Sequence, residues 1–250
     1  MLMEVVLTVA ESKRLIGKGV AAHPLVEKAL RDGMVIIARG STNGSVAEEI
    51  LGKELGRAVF LTGHTLPRGY KSRKRKGEPI GEIVLRRGQV VDGLTLGEAI
   101  SEMQAGDVFI KGANALNYGE MTAGILVGHP EGGTIGAALP TIIARKAHLV
   151  VPVGLEKLVA SDVIAMGEFI AEEFTAAESI PAMWPVTGAT IITEIEAVEI
   201  LAGAACHHLG SGGIGGAEGS VRLLISGDED AVGTARELLD SIAGEDPFPI

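Results

Sequence analysis

Only one cysteine, Cys206, occurs in the 250-residue chain, so an internal disulfide and a paired-cysteine zinc or redox centre are excluded. Aromatic residues make up 3%, too few for the stacking platforms on which single-stranded nucleic acids lie. Positive charge is in deficit, with 22 Lys and Arg against 32 Asp and Glu and a formal net charge of −10. A chain without a broad basic face does not neutralise phosphates along a duplex, so general nucleic-acid binding is not expected. No uncharged apolar run reaches the ~18 residues of a membrane-spanning helix, and no membrane association is expected. The opening MLMEVVLTVAESKR carries Glu4 early and lacks an apolar signal core. Together with the lone cysteine, this suits a reducing, cytoplasmic setting.

Hydrophobic residues at 46% against 22% charged give the balance of a globular chain rather than a disordered one. Glycine is abundant, at 35 residues, which favours tight turns and loops whose backbone approaches a ligand. Short apolar runs alternate with amphipathic stretches. Residues 34–38, 107–110, 124–127 and 149–153 read as buried strands of one mainly parallel sheet, with 58–61 as a further strand. Residues 82–85 and 89–91 flank Arg86-Arg87-Gly88 as a hairpin. Helices are expected over 11–31 (broken at His23-Pro24), 44–55, 96–104, 135–146 and 160–177. The fold class expected is α/β, an open, mainly parallel sheet flanked by helices.

Two prolines and the single Trp184 within 180–185 read as a linker. Residues 1–181 then form the α/β domain and 182–250 a small βαβα module: strand 190–193, helix 196–207, strand 221–225 and helix 229–242. A module that small buries little core alone, so it is expected to pack on the sheet or on a second copy, and a homo-oligomer is expected.

Four constellations carry chemistry. Gly40, Ser41, Thr42 and Asn43 follow a strand and open a helix, where free N–H groups and the dipole suit an anion. The same residue types also serve as plain helix caps. Lys111-Gly112-Ala113-Asn114 follows the strand 107–110, at the edge where open α/β sheets bind ligands. Its other reading is an Asx-type turn beside a solvated lysine. His129 is followed by Gly132, Gly133 and Thr134, whose N–H groups suit an anion nest, and His129 itself titrates near neutral pH or simply orders the turn. Arg68 to Lys76 holds six basic residues in nine, which suits a loop over an anionic ligand, an RNA contact, or a solvated surface. The glycine-rich stretch 210–219 is read as following a helix and preceding a strand, the reverse of a dinucleotide fingerprint. No cofactor and no metal site is implied, since Cys206-His207-His208 lacks further ligands.

The strand-end motifs, taken in order, resemble the ribose-5-phosphate isomerase/NagB/CoA-transferase superfamily. MVIIARGSTNGSVAEEIL is similar to its phosphate-holding Gly-Ser-Thr turn, DVFIKGANALN to its second motif, GILVGHPEGGTIG to its third, and AHLVVPVGLEKLV to the strand that ends near a lysine, here Lys157. The similarity covers residues 11 to 160 and comes nearest the lactate-utilisation branch. It implies a NagB-like, Rossmann-like α/β fold. Where ribose-5-phosphate isomerase carries acidic residues, this chain has Asn114 and Asn117, and amides cannot remove a proton. The tail order is similar to ferredoxin-like or ACT-like modules.

The function expected is binding, with or without transformation, of a small anionic metabolite: a sugar phosphate, a carboxylate or a CoA ester. Gly40 to Asn43 and Gly132 to Thr134 would cradle the anion, with Gly112, Asn114 and Lys157 beside it. Lys111, Glu120 and His129 are the candidate catalytic groups, Glu120 as general base, for chemistry of the isomerase or acyl/CoA-transfer kind. The alternatives are a non-enzymatic metabolite sensor or assembly protein and an RNA contact through residues 68–76.

Overall fold

A computed structural model describes residues 1–70, 77–173 and 180–248. In chain order the elements are β1 (Leu2–Leu7), α1 (Val9–Ala21), α2 (Pro24–Asp32), β2 (Met34–Ile37), α3 (Ser41–Leu51), β3 (Ile83–Arg86), β4 (Gln89–Val90), α4 (Leu96–Glu102), β5 (Val108–Ile110), β6 (Ala115–Asn117), β7 (Thr122–Val127), α5 (Gly133–Arg145), β8 (His148–Pro152), α6 (Val163–Glu173), β9 (Ala182–Val186), β10 (Thr190–Ile192), α7 (Glu194–Ala202), β11 (Ala205–Ser211), β12 (Val221–Ser226) and α8 (Glu229–Asp240). The central sheet runs β10-β8-β5-β2-β3-β4; β10, β8, β5 and β2 are parallel, and the β3–β4 hairpin closes one side antiparallel. The protein is thus mixed α/β with a mostly parallel central sheet flanked by helices.

The unbroken apolar runs follow from burial of both faces. Successive side chains of a strand point to opposite sides. Val35 and Ile37, Val108 and Ile110, Val150 and Ile192 join a core with Ile16 and Val20 of α1, Val26 of α2 and Val46 of α3. Ile36, Phe109, Leu149, Val151 and Ile191 face the other way, into a core with Ile100 of α4 and Ile135 and Ile142 of α5. Asp107, buried at the strand entry, accepts from the Met34 N–H at 2.8 Å and the Gln104 N–H at 2.6 Å, tying the starts of β2 and β5 together.

Helix α1 is fixed from both ends of its sequence. Thr8 caps it: its hydroxyl accepts from the Glu11 N–H at 3.3 Å, and the Glu11 carboxylate accepts in return from the Thr8 N–H at 2.8 Å. Further along, Gly17 and Gly19 have no side chain, so the helix lies tightly between α3 and α7. A Cβ at Gly17 would stand 2.9 Å from the Ser45 carbonyl carbon, and one at Gly19 would stand 2.6 Å from the Ala197 Cβ.

Several elements differ from the sequence expectation. Residues 124–127 are not in the parallel sheet; β7 forms an antiparallel sheet with β6 and β9, in the order β6-β7-β9. The turn 118–121, with Met121 at φ 47°, folds the chain straight back on β6, so β7 never crosses to the central sheet. Residues 57–59 form a single 3-10 turn where a strand was expected at 58–61. The expected linker 180–185 is largely β9; it lies at the edge of its sheet, where Pro185 forfeits no ladder hydrogen bond. The helix expected over 196–207 ends at Ala202, because Gly203 turns left-handed at φ 65° and donates its N–H to the Glu199 carbonyl at 3.0 Å. Cys206, His207 and His208 therefore belong to strand β11, and the glycine-rich stretch 210–219 joins two strands of a hairpin rather than a helix and a strand. The tail reads β10-α7-β11-β12-α8, not βαβα. Hydrogen-bonded strands cross the 181/182 division: β9 pairs with β7, β10 with β8, and β12 with β1 at the N-terminus. Among the described residues, no helix is long and apolar enough to cross a membrane.

Candidate anion-binding edge

Parallel strands in the order β10-β8-β5-β2 bring four strand-end segments side by side. They are the start of α7 at Glu194, the turn 155–157, residues 111–114 and the start of α3 at 41–43. The N-terminal part of α1 adds Ser12 and Lys13. This row contains three lysines and two partly or wholly buried carboxyls.

Asn43 is the structural pin of the row. Buried at the first turn of α3, it donates from Nδ2 to the Ala38 carbonyl at 2.7 Å and to the Ile110 carbonyl at 3.4 Å, joining the exits of β2 and β5. Its Oδ1 faces Gly112, where a Cβ would lie 3.5 Å away. Asn43→Ala leaves two strand-end carbonyls without that donor. We expect a stability loss of about 2 kcal/mol, read from chemical denaturation. Asn43→Asp should do worse, because a carboxylate cannot donate to a carbonyl.

Lys111 is half-buried and donates to the Gly112 carbonyl at 3.1 Å. Burial, with the Lys157 charge set against it, pushes its ammonium down to about 8. Lys157 donates to the Ala113 carbonyl at 2.9 Å and lies 4.0 Å from the Glu156 carboxylate. Lys13 is also pushed down, first by burial and then by the Lys157 charge, against an opposing pull from Glu156; its ammonium sits 5.9 Å from the centre of the Phe248 ring.

The two carboxyls lie near enough for the charge of one to act on the other. Glu194 is wholly buried, accepts from the Leu155 N–H at 2.9 Å, and is pushed up to about 7 by burial and by the Glu156 charge. The Ser12 hydroxyl lies beside the Glu194 carboxyl without a well-formed hydrogen bond. Glu156 folds back over Gly154, whose missing side chain leaves the space its carboxylate occupies.

Six buried side-chain polar atoms have no hydrogen-bond partner among the described residues: Ser12 Oγ, Thr42 Oγ1, Asn43 Oδ1, Ser45 Oγ, Glu156 Oε2 and Glu194 Oε1. Five of the six belong to the first turns of α1 and α3 or to the segments that follow β8 and β10, while Ser45 lies further along α3, against Gly17 of α1. Folded proteins pair the great majority of such atoms, so five at this one edge mark it out. The N-terminus of α3 adds to it, since Gly40 offers no side-chain cap to the N–H groups behind it.

The sequence-derived residues divide between two places. Gly40, Ser41, Thr42, Asn43, Lys111, Gly112 and Lys157 fall in the row. Asn114 sits at its margin and turns toward β7, accepting from the Leu126 N–H at 3.0 Å. Glu120, His129, Gly132, Gly133 and Thr134 belong to the β6–β7–α5 segment instead. Glu120 is exposed in the hairpin turn, its N–H bonded to Asn117 Oδ1 at 3.2 Å. His129 Nδ1 accepts from the Glu131 N–H at 3.2 Å, ordering the turn before α5. Gly132 packs against Trp184, whose ring a Cβ there would meet at 3.0 Å. The glycine turn therefore follows an antiparallel strand and not a parallel one. Of the basic stretch, residues 71–76 lie outside the described residues. Sequence reading missed Ser12, Lys13, Glu156 and Glu194.

An open cleft lies between Arg14, Glu48, Arg57 and residues 241–246. Its charges are already matched: Arg14 meets Glu48 at 2.6 Å, Glu49 at 2.9 Å and Glu245 at 2.9 Å, and Arg57 meets Glu245 at 3.1 Å. A network so paired leaves little charge for a ligand, whereas the lysine row has a surplus. Among the described residues, no group of three or more His, Cys, Asp and Glu side chains stands ready to hold a metal ion. No family model matches the chain, and neither curated proteins nor solved structures give a match.

Proposed function

We propose that this protein binds a small anionic metabolite, a carboxylate or a phosphate compound, at the C-terminal edge of its parallel strands. The observation that carries this reading is the gathering of Lys13, Lys111 and Lys157 along an edge that holds five unpartnered buried polar atoms. Like charges held together in a partly desolvated place repel one another, and an anion relieves the repulsion while supplying acceptors to the ammonium groups. The uncapped start of α3 adds N–H groups and a positive dipole end. The resemblance to the ribose-5-phosphate isomerase/NagB/CoA-transferase superfamily supports the same edge, since its first, second and fourth motifs end at Ser41, Lys111 and Lys157. In this reading the acid–base groups near the ligand are Glu156 and Glu194, while Glu120 stands apart in its hairpin turn.

The test is thermal denaturation with inorganic phosphate, malonate, ribose 5-phosphate and acetyl-CoA. A ligand at a hundred times its Kd adds about 2.7 kcal/mol of stability, roughly 5–10 °C in Tm for a chain of this size. Lys111→Met should behave in an unusual way. It removes one of the crowded charges, so the ligand-free melting temperature should rise, while the anion-induced increment should shrink or vanish. An increment equal to that of the unaltered protein, or no response to any of the four anions, would falsify the proposal.

A further inference from the structure

The chain beyond α8 is tied back to α1. Ile242 is buried in the core, and Gly244 turns left-handed at φ 77°. The Gly244 N–H donates to Glu11 Oε1 at 2.8 Å, while Glu11 Oε2 stays in the cap with Thr8. Glu245 then meets Arg14 twice, accepting from Nε at 3.1 Å and from Nη2 at 2.9 Å, and it meets Arg57 Nη1 at 3.1 Å. Paired guanidinium–carboxylate bonds are among the strong ones, so Glu245 is a fixed point. Asp246 and Pro247 are exposed, and the half-buried Phe248 brings the centre of its ring to 5.9 Å from the Lys13 ammonium. Lys13 connects this segment with the anion-binding edge, since it feels the charges of both Lys157 and Glu156.

We propose that residues 243–248 form a strap whose tip regulates that edge: the Phe248 ring stands on Lys13 in place of an anion, and an anion bound there displaces the ring and frees residues 246–248. This rests on the anion-binding reading above. A ring face attracts an ammonium only weakly where water reaches the pair, whereas a carboxylate or phosphate oxygen accepts charge-assisted hydrogen bonds from it. The anion therefore wins the exchange at Lys13. Asp246, two residues from Phe248, puts a negative charge in the same short tip, and like charge favours its departure once an anion arrives. The anchor at Glu245 stays, since its partners Arg14 and Arg57 are also tied to Glu48 and belong to the matched network rather than to the lysine row. The coupling is reciprocal: whatever holds the tip away raises anion affinity by the factor through which the ring lowers it.

The experiment uses the full chain with Phe248→Trp as its reporter. Trp184 is the single tryptophan of the sequence, so the emission of the unaltered protein is the baseline to subtract. Inorganic phosphate should move the added indole's emission to the red as it enters water. In calorimetric titration, Phe248→Ala should bind phosphate about two- to fivefold more tightly than the unaltered protein, and Phe248→Trp, the better partner for a cation, more weakly. Opposite signs from two changes at one position are not what a loss of packing produces. Without phosphate, adding Lys13→Ala to the Phe248→Trp protein should give the same red shift, because the ring has lost the ammonium that holds it. Emission that Lys13→Ala leaves unmoved overturns the strap. So does a phosphate-induced rise in Tm with unmoved emission or with equal phosphate affinity in the three proteins, and this result leaves the anion site standing. A red shift on Lys13→Ala with no effect of phosphate on Tm keeps the ring on the lysine but overturns the anion site, and the displacement with it.

Discussion

Gly19→Val is expected to destabilise the protein by about 3 kcal/mol or more, a fall of roughly 10 °C in Tm for a chain of this length. The ground is the closeness of α1 to α7. A Cβ at Gly19 would stand 2.6 Å from the Ala197 Cβ and 2.7 Å from the Ala197 Cα, and the second of these is backbone that cannot swing aside. The two helices must part, and that opens the core shared by Leu15, Ala197 and Val198. Valine restores some helix stiffness relative to glycine, but propensity contributes well under ~1 kcal/mol and does not offset a clash of this size. The consequence reaches the site, because α1 carries Ser12 and Lys13 toward its N-terminal end and is positioned by the same contact. The variant should therefore also lose part of its response to phosphate. A Tm within a degree or two of the unaltered protein would show that α1 is free to shift.

The parallel part of the fold was legible because both faces of β2, β5 and β8 are buried, and that leaves short apolar runs with no polar alternation. The β3–β4 hairpin was legible for another reason: Arg87 and Gly88 both take positive φ, which an Arg-Gly pair at a tight turn advertises. What failed was long-range pairing. Residues 124–127 look as apolar as the parallel strands, and nothing local tells that the turn 118–121 sends them into a separate antiparallel sheet. Strand β1 went unread because its partner, β12, lies more than two hundred residues away. The site was legible to the same extent and for the same reason. Ser41, Lys111 and Lys157 each follow a strand whose direction was read correctly. Gly133 follows one that was not, so the shared pocket with Ser41 and Asn114 does not arise from its position. Glu194 was invisible as a functional group, because in sequence it is only the first acidic residue of the helix capped by Thr193. Its significance comes from complete burial and from Glu156, a residue that a different strand delivers.

Glu194→Gln should change how stability depends on pH. In the folded protein burial, reinforced by the Glu156 charge, holds the Glu194 carboxyl up to about 7, against 4.5 for a free side chain. Between these values the unfolded chain has released the proton and the folded chain keeps it. Stability contributed by the protonated form is therefore complete below pH ~4.5, declines as pH rises, and is gone above pH ~7. The span corresponds to a loss on the order of 3 kcal/mol. Glutamine keeps the shape, accepts from the Leu155 N–H through its carbonyl oxygen, and turns its amide toward the unpartnered Glu156 Oε2. Having no proton to lose, it should melt near the unaltered protein at pH 4.5 and well above it at pH 8. Lys111 does not blur the comparison. Its ammonium is pushed down to about 8 from 10.5, so its own effect is a gain of stability as pH rises between those values, above the Glu194 window. Parallel melting curves for the two proteins across pH 4.5–8 would mean that Glu194 ionises in the folded state as it does in the unfolded chain, and that the edge holds no proton for chemistry.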